Sequence, residues 1–439
     1  MVASFKKILI VSNNAFTPMN NNGKTYEALF SGFPKGTLAQ LFFNHNENPD
    51  FDFCSDYFKI TDTDVLKNLF SPGRKHGGKC LPPAKEAIKT GLPANEPPHI
   101  SAGNSKFFLW LKSLSDYIAV FRDLVWKLNT WKTRSLFSWI EEFSPSAIFF
   151  IVGSPGYPQD VVHFIRSKYK IPLIIYFTDD YILNAVPKNF FDRIRMLRMK
   201  EVYNRTVNSA SLCFAIGEQM CREYSEYFGK SFIPVMNSVK VVPYKNKLPG
   251  KSVLKITFIG GLHLNRWKMI SSLSGMLKEI STRVKTEVNV YSVSELTPEI
   301  ELSFRENDVV YKGCVFDEEL SRVLSEADIL LHVESDETYY RRLTRLSVST
   351  KIPEYLMTGN LVLAFGPPEV ASLQLLSKNK IGIVISSEEE RNVIKAKLGE
   401  IISNQEERII TGKRGYDFAV ENFDIDKVHK LFMEKIISI

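Results

Sequence analysis

The chain has 439 residues, enough for two domains of ordinary size. Apolar residues make up 44% and charged residues 24%, which excludes a disordered chain, and no window approaches the ~18 uninterrupted apolar residues of a membrane span. The net charge of +7 is uneven, with 29 Lys and Arg against 21 Asp and Glu up to residue 243, and 27 against 28 beyond it. The basic first half favours contact with something anionic, such as a membrane surface or a phosphorylated acceptor.

The cysteines and the N-terminal segment indicate a cytoplasmic protein. The five cysteines are odd in number and lack metal-ligand or C-x-x-C spacing, so we interpret them as reduced thiols and expect no zinc site. The start "MVASFKKILIVSNN" lacks the apolar stretch of a signal peptide. The basic residues are spread out and no nucleic-acid motif is present, so nucleic-acid binding is not expected.

The first half alternates strands and helices. It opens with the strand "KKILIVS", the loop "NNAFTPMNNNG" and the helix "KTYEALFSGF", and further strands are predicted at "TLAQLFF", "AIFFIVG", "PLIIYF" and "SLCFAIG". Residues 71–105 contain six prolines and five glycines without apolar periodicity, which predicts a long surface loop. Residues 106–143 are helical in pattern and rich in aromatic residues, and a long helix is expected near 190–208.

The segment 242–252, "VPYKNKLPGKS", has the composition of a linker, and the alternation restarts after it. Strands follow at "LKITFIGGL", "EVNVYSV", "DVVYKGCV", "DILLHVE", "LVLAFGP" and "IGIVIS", mostly separated by helices near 267–283, 317–327, 350–358, 369–378 and 388–403. Apolar strands alternating with helices predict parallel sheets covered on both faces.

The predicted fold class is α/β, with two doubly wound Rossmann-like domains facing each other across a cleft. The expected domains are residues 1–243 and residues 244–415, followed by a helix over 416–439 that packs back on the first domain. Ligands of such sheets bind at the carboxyl ends of the strands, so the cleft is the expected site.

Two stretches of the second domain carry candidate anion-binding residues. In "FIGGLHLNRWK" (258–268) a strand ends in two glycines, with Arg266 close behind. In "SVSTKIPEYLMTG" (347–359) a short helix is predicted to start beside Lys351, with Glu354 one turn on. A helix start with a lysine suits a phosphate, and a carboxylate one turn on suits a sugar diol. A nucleotide sugar offers both groups, although a tight turn and a solvated arginine explain the first stretch equally well.

The ordered set of motifs resembles the GT-B glycosyltransferases and, within them, the glycosyltransferase family 4-like group. Besides the two stretches above, the resemblance is carried by "KKILIVSNNAFTPMNNNGKTYEALF", "AIGEQMCREYSEYFGKSFIPVMN" and "GCVFDEELSRVLSEADILLHVES". It implies a nucleotide-sugar site in the second domain, an acceptor site mostly in the first, retention of the anomeric configuration and no metal ion or other cofactor.

The resemblance also implies roles for individual residues. Arg266 and Lys351 would hold the donor diphosphate and stabilise the leaving group, and Glu354 would bind the ribose hydroxyls. Backbone near Val315 would meet the base, and Asn22 with Gly23 would close the first domain over the phosphates. The remaining donor-site candidates are Gly261, Ser349 and Thr350.

The chain departs from the family pattern at two carboxylates. Where many members have a glutamate upstream of the ribose-binding one, this chain has Leu346, and the nearest upstream candidate is Glu334. Where the strand "PLIIYF" would often end in a His-Asp pair, it ends in Thr178, Asp179 and Asp180. Asp179 is therefore a candidate to orient the acceptor or the sugar, and equally a candidate to cap the following helix.

Residues 71–143 are a candidate membrane-facing region. Four of the five tryptophans, Trp110, Trp126, Trp131 and Trp139, lie there among basic residues, as in interfacial helices. Burial of these aromatic side chains in the first domain is the alternative. If the region binds a membrane, the protein is peripheral on the inner face and the acceptor is lipid-linked.

The leading hypothesis is therefore transfer of a sugar from a nucleotide donor to a saccharide or lipid-linked acceptor, in polysaccharide or glycoconjugate assembly. Two alternatives remain open: a sugar-nucleotide epimerase of the same architecture, and a GT-B-like subunit that binds without turnover.

Overall fold

A computed structural model describes residues 6–17, 21–45, 49–70, 76–82, 115–185, 187, 189–244, 253–280 and 284–439. The described chain forms two α/β units, each built on its own sheet, as predicted. Much of the predicted loop at 71–105, the start of the predicted helical region at 106–143, and Trp110 lie outside the described residues.

The first sheet has eight strands in the order β4-β3-β2-β1-β5-β6-β7-β8, and every neighbouring pair is parallel except the short edge pair β3 and β4. Its strands are β1 (Ile8–Ser12), β2 (Leu38–Phe42), β3 (Asp56–Lys59), β4 (Gly78–Lys79), β5 (Ala147–Val152), β6 (Leu173–Phe177), β7 (Leu212–Ala215) and β8 (Ile233–Pro234). Its helices are α1 (Asn21–Phe30), α2 (Asp62–Phe70), α3 (Ser115–Lys127), α4 (Arg134–Phe143), α5 (Tyr157–Tyr169), α6 (Phe190–Ser209) and α7 (Gly217–Phe228). The central strands are buried on both faces, which explains their continuous apolar sequences.

The second sheet has six parallel strands in the order β11-β10-β9-β12-β13-β14. Its strands are β9 (Val253–Ile259), β10 (Lys285–Tyr291), β11 (Val309–Tyr311), β12 (Ile329–Val333), β13 (Leu361–Gly366) and β14 (Ile383–Ser386). Its helices are α8 (Arg266–Glu279), α9 (Pro298–Glu306), α10 (Asp317–Glu326), α11 (Thr338–Thr344), α12 (Lys351–Met357), α13 (Ala371–Lys378), α14 (Arg391–Ser403) and α15 (Gln405–Asn422).

The last helix, α16 (Ile425–Ile437), leaves the second unit and packs on the first. Buried Phe432 contacts the rings of Phe30, Phe149 and Phe214 with centroid separations of 5.3, 5.6 and 5.3 Å. The expected domain boundary at residue 416 falls inside α15. In the structure the chain returns to the first unit at Phe423–Asp424, where backbone groups pair with Val239.

Three of the tryptophans predicted to face a membrane are in the core instead. Trp126 donates its indole N–H to Asp62 Oδ1 at 2.7 Å and stacks on Tyr157, and Trp131 and Trp139 are also buried. The hydrophobic core of the first unit accounts for the apolar residues around these positions. The three tryptophans are therefore not evidence for a surface that binds a membrane.

We expect Phe432→Ala to lower the free energy of unfolding by about 3–5 kcal/mol, because it removes a buried ring that joins α16 to the first core. The change is measured by denaturant unfolding, with a spectroscopic signal from the first domain as the readout. Leu431→Ala, at a neighbouring exposed position of the same helix, is the matched control. Equal losses in the two variants would show that docking of α16 does not stabilise the first domain.

Candidate functional site

A cavity of 490 Å³ lies between the two units at the carboxyl ends of their strands. The first unit contributes Thr25 and the segment Thr178–Tyr181, and the second contributes most of the remaining wall. Seven of the residues predicted from the sequence line it: Asp179, Gly261, Arg266, Glu334, Ser349, Thr350 and Lys351. The cleft expected from two facing parallel sheets is thus where the candidate residues meet.

Glu334 follows β12 directly and is buried beside two nitrogen-bearing side chains. Arg266 Nη2 lies 3.2 Å from Glu334 Oε2, and His332 Nε2 lies 3.2 Å from Glu334 Oε1. Burial alone would raise the pKa of this carboxyl, but the Arg266 charge and His332 outweigh it and lower the pKa to about 2. Glu334 is therefore an anion at neutral pH and fixes the Arg266 guanidinium at the cavity wall.

One nitrogen atom of this cluster, Arg266 Nε, is buried without a hydrogen-bond partner among the described residues. Buried polar atoms are normally satisfied, so Arg266 Nε is available to a ligand in the cavity. His332 Nε2, by contrast, faces Glu334 Oε1 at 3.2 Å. His332 was not predicted from the sequence, although its position in the apolar run "ILLHVE" is the signal that would have found it.

His263 also lines the cavity and was missed, although it lies within the quoted motif "FIGGLHLNRWK". Burial lowers its pKa, and the nearby Arg266 charge lowers it further. The imidazole is therefore held neutral over a wider pH range than usual.

Lys351 and Glu354 lie together on the first turn of α12, as the sequence predicted. Lys351 Nζ is 3.6 Å from Glu354 Oε2, and that oxygen is buried without a hydrogen-bond partner among the described residues. Ser349 Oγ accepts a hydrogen bond from the Lys351 backbone N–H, and the Ser349 N–H donates to Ser372 Oγ at 3.0 Å. These contacts fix the helix start that places Lys351 in the cavity.

The two aspartates after β6 have different roles. Asp180 accepts hydrogen bonds from the backbone N–H groups of residues 182–184 and from the Tyr224 hydroxyl at 2.8 Å, so it holds the loop. Asp179 makes none of these bonds and accepts from Ser347 Oγ across the cleft at 2.9 Å. The capping role considered for Asp179 thus belongs to neither aspartate, because the capping residue of α6 is Asn189.

Other predicted residues, Glu354 among them, are not in the cavity wall. Val315 is half-buried in the connection before α10 and does not line the cavity. Asn22 and Gly23 fall in the first turn of α1, not in the predicted loop, and their side-chain surroundings lie outside the described structure. From the same helix, buried Thr25 is the residue that lines the cavity.

The two units are joined across the cleft by Arg345, which sequence reasoning did not identify. Its guanidinium forms a bidentate ion pair with Glu223, with N–O distances of 2.9 and 2.5 Å, and its Nε donates to Asn184 Oδ1 at 2.6 Å. Val348 packs so closely on Gly217 that a Cβ there would lie 2.8 Å from its side chain. These contacts hold the cleft in a closed arrangement.

A second cavity, of 350 Å³, adjoins the first and shares Asp180, Tyr181 and Leu343 with it. Its wall combines carboxylate, guanidinium, aromatic and thioether groups: Asp192, Arg195, Met196, Met199, Tyr203 and Tyr339. Most of this wall comes from α6 of the first unit, whereas Tyr339 and Leu343 come from α11 of the second.

Among the described residues, no three or more His, Cys, Asp and Glu side chains cluster in a way that could hold a metal ion. Within the same ranges, no helix is both long and apolar enough to cross a membrane.

We expect acid to destabilise the protein through Glu334. A carboxyl whose folded-state pKa is depressed contributes stability above its unfolded pKa, and this is lost as the pH falls towards the folded value. Between pH 6 and pH 3 this one group accounts for a loss of about 2 kcal/mol. The loss is measured from the unfolding free energies of wild type and Glu334→Gln across that pH range. The variant should lose less stability with acid than the wild type does. Glu301→Gln, at an exposed position of α9, is the control, and identical slopes for wild type and Glu334→Gln would contradict the ion-pair assignment.

Comparison with protein-family models finds no match, and no curated protein matches the sequence. Solved structures do match over nearly the whole chain. HepE from Anabaena in complex with UDP has a TM-score of 0.58 at 12% identity, covering 99% of this chain and 100% of that one.

Two further structures give the same result. Sucrose-phosphate synthase from Thermosynechococcus elongatus has a TM-score of 0.59 at 12% identity and covers 98% of both chains. TarM has a TM-score of 0.61 at 8% identity, covering 98% of this chain and 99% of that one. These likenesses confirm the predicted architecture: the chain has the two-domain GT-B fold.

Proposed function

We propose that the protein is a glycosyltransferase that moves a sugar from a nucleotide-sugar donor to a hydroxyl acceptor. The observation that carries this proposal is the interdomain cavity of a GT-B fold in which the cations Arg266 and Lys351 lie on one wall, opposite Asp179. Such a cavity has room for a nucleotide sugar, and its two cations match a diphosphate.

In the proposed mechanism, Lys351 and Arg266 neutralise the donor diphosphate and stabilise the charge that develops on the leaving nucleotide. Arg266 keeps its orientation because Glu334 holds Nη2, while Nε remains available for a phosphate oxygen. The unpaired Glu354 Oε2 accepts hydrogen bonds from the ribose hydroxyls. Backbone near Gly261, Ser349 and Thr350 approaches the phosphates, and backbone near Val315 meets the base.

The transferred sugar then lies between Asp179 and Glu334, and the acceptor enters through the adjoining cavity lined by α6. Asp179 orients the attacking hydroxyl or a sugar hydroxyl from the opposite side of the cleft. HepE and its UDP complex make UDP the first nucleotide to test, because that structure shares the fold.

The finer features of the proposal rest on the resemblance to family 4-like glycosyltransferases. They are retention of the anomeric configuration, catalysis without a metal ion, a saccharide or lipid-linked acceptor in polysaccharide or glycoconjugate assembly, and a cytoplasmic location at the inner face of the membrane. The closure of Asn22 and Gly23 over the phosphates also rests on this resemblance.

One observation favours an epimerase as the second candidate. His332 Nε2 lies 3.2 Å from Glu334 Oε1 in the cavity wall, and His263 lines the same cavity, so acid and base groups are present where a nucleotide sugar would bind. An epimerase inverts a sugar carbon and returns an intact nucleotide sugar, whereas a transferase releases the nucleotide. A subunit without catalytic activity does neither.

We expect UDP to raise the melting temperature of the wild type, and Lys351→Ala or Glu354→Ala to remove half of that gain or more. A ligand at about a hundred times its Kd stabilises by about 2.7 kcal/mol, so a tenfold weaker Kd halves the effect. A thermal-shift screen against UDP, GDP, dTDP, ADP and CMP measures it. Lys413→Ala, which breaks an ion pair with Asp417 on α15, is the matched control and keeps the gain. If no nucleotide stabilises the wild type at millimolar concentration, the donor-site assignment is wrong.

We expect the purified protein to hydrolyse its donor slowly in the presence of a chelator, because two fixed cations take the charge-stabilising role of a metal. NMR spectroscopy then shows free nucleotide and sugar released first in the anomeric form of the donor. Lys351→Ala lowers this rate by about a hundredfold or more if Lys351 stabilises the leaving group. An epimerised but intact nucleotide sugar would support the second candidate, and no turnover with tight nucleotide binding would support a non-catalytic subunit.

A further inference from the structure

The helix α3 of the first unit exposes large apolar side chains on its outward face. Its carboxylate Asp123 is buried, whereas Phe121 is 61% exposed and Leu124 is 51% exposed. Leu128, just beyond the helix end, is 56% exposed. Spacings of three and four residues place these three apolar side chains on one outward face.

The neighbouring helix α6 repeats the pattern. Asp192 is buried, whereas Phe190 is 70% exposed, Leu197 is 62% exposed, and Ile194 lies between them on the same face. Two adjacent helices of one unit therefore each bury an aspartate and expose large apolar side chains. A single exposed leucine is ordinary, but six large apolar residues on two packed helices are not.

The two faces belong to one surface because the helices are in contact. A Cβ added to Gly156 would lie 3.1 Å from Met199 of α6 and 3.4 Å from Asp123 of α3, so these positions are side by side. We call the exposed apolar residues of α3 and α6, with Leu128, the α3/α6 surface.

The charges at this surface are mostly basic. Over 121–128 and 190–201, the carboxylates of Asp123 and Asp192 are buried and Glu201 is exposed. The basic side chains that reach solvent at least in part outnumber it: Arg122, Lys127, Arg193, Arg198 and Lys200. Apolar residues surrounded by arginine and lysine match the interface of an anionic lipid bilayer, where the rings and aliphatic groups enter and the cations contact phosphate.

The α3/α6 surface also lies beside the cavity proposed for the acceptor. The inward side of α6 supplies Asp192, Arg195 and Met199 to that cavity, while its outward side carries Ile194 and Leu197. A bilayer resting on the outer side of this helix would hold a lipid-linked head group one helix thickness from the cavity.

We propose that the α3/α6 surface docks the protein on an anionic phospholipid bilayer. Resting on the proposed function, the same placement assigns the acceptor to the lipid-linked class. This surface replaces the tryptophans of residues 71–143 as the basis for membrane association, since the described tryptophans among them are buried in the core.

The test is co-sedimentation of the full chain with vesicles of mixed phosphatidylglycerol and phosphatidylcholine, compared with pure phosphatidylcholine. We expect binding to the anionic vesicles that weakens with salt. Ile194→Ser/Leu197→Ser should lower the partition coefficient about tenfold or more, because two apolar side chains no longer enter the bilayer. Lys127→Glu/Arg193→Glu should also lower it.

The matched control is Leu302→Ser/Val393→Ser, which removes two similarly exposed apolar side chains from α9 and α14 of the second unit. This variant should bind vesicles as the wild type does. Equal binding by the α6 variant and wild type, or no binding by wild type at low salt, would overturn the proposal. Nucleotide-dependent thermal shifts of the same variants are measured in parallel. If nucleotide does not shift the melting temperature of the wild type, the donor-site assignment is wrong, and the vesicle result still stands on its own.

Discussion

The site depends on the contact that holds the two sheets face to face. Asp179 belongs to one unit and Lys351 to the other, so they line one cavity only because the units face each other. Arg345 supplies that constraint with a bidentate ion pair to Glu223 and a hydrogen bond to Asn184. A partly buried ion pair of this kind contributes little net stability, because desolvation offsets the attraction, but its planar, bidentate geometry favours one relative orientation of the two units.

The buried ion pair of Arg266 with Glu334 acts in the same way on a smaller scale. A guanidinium on a long side chain would otherwise sample many rotamers, and a fixed carboxylate removes that freedom before a ligand arrives. The positive charge is thus preorganised at the end of β12, where the two sheets converge. Preorganised charge is worth more to a reaction than charge that must reorient.

The elements with strong apolar periodicity could be predicted from the sequence, since burial on both faces of a parallel sheet leaves continuous apolar runs. The Lys351 and Glu354 pair could also be found, because both lie on one helical turn. Contacts between units could not, since nothing local to Arg345 indicates a partner more than a hundred residues away. Adjacent Asp179 and Asp180 are indistinguishable in sequence, and only the hydrogen bonds of the folded loop separate them.

The return of α16 to the first unit gives the chain a mechanical property. The polypeptide crosses between the units twice, once after Val239 and once at Phe423–Asp424, and backbone hydrogen bonds of 2.8 and 3.0 Å tie the two crossings together. Units joined at one such point cannot slide past each other, but they can rotate about it. A hinge rotation of the units would therefore turn about an axis near Val239 and would break the ion pair of Arg345 with Glu223.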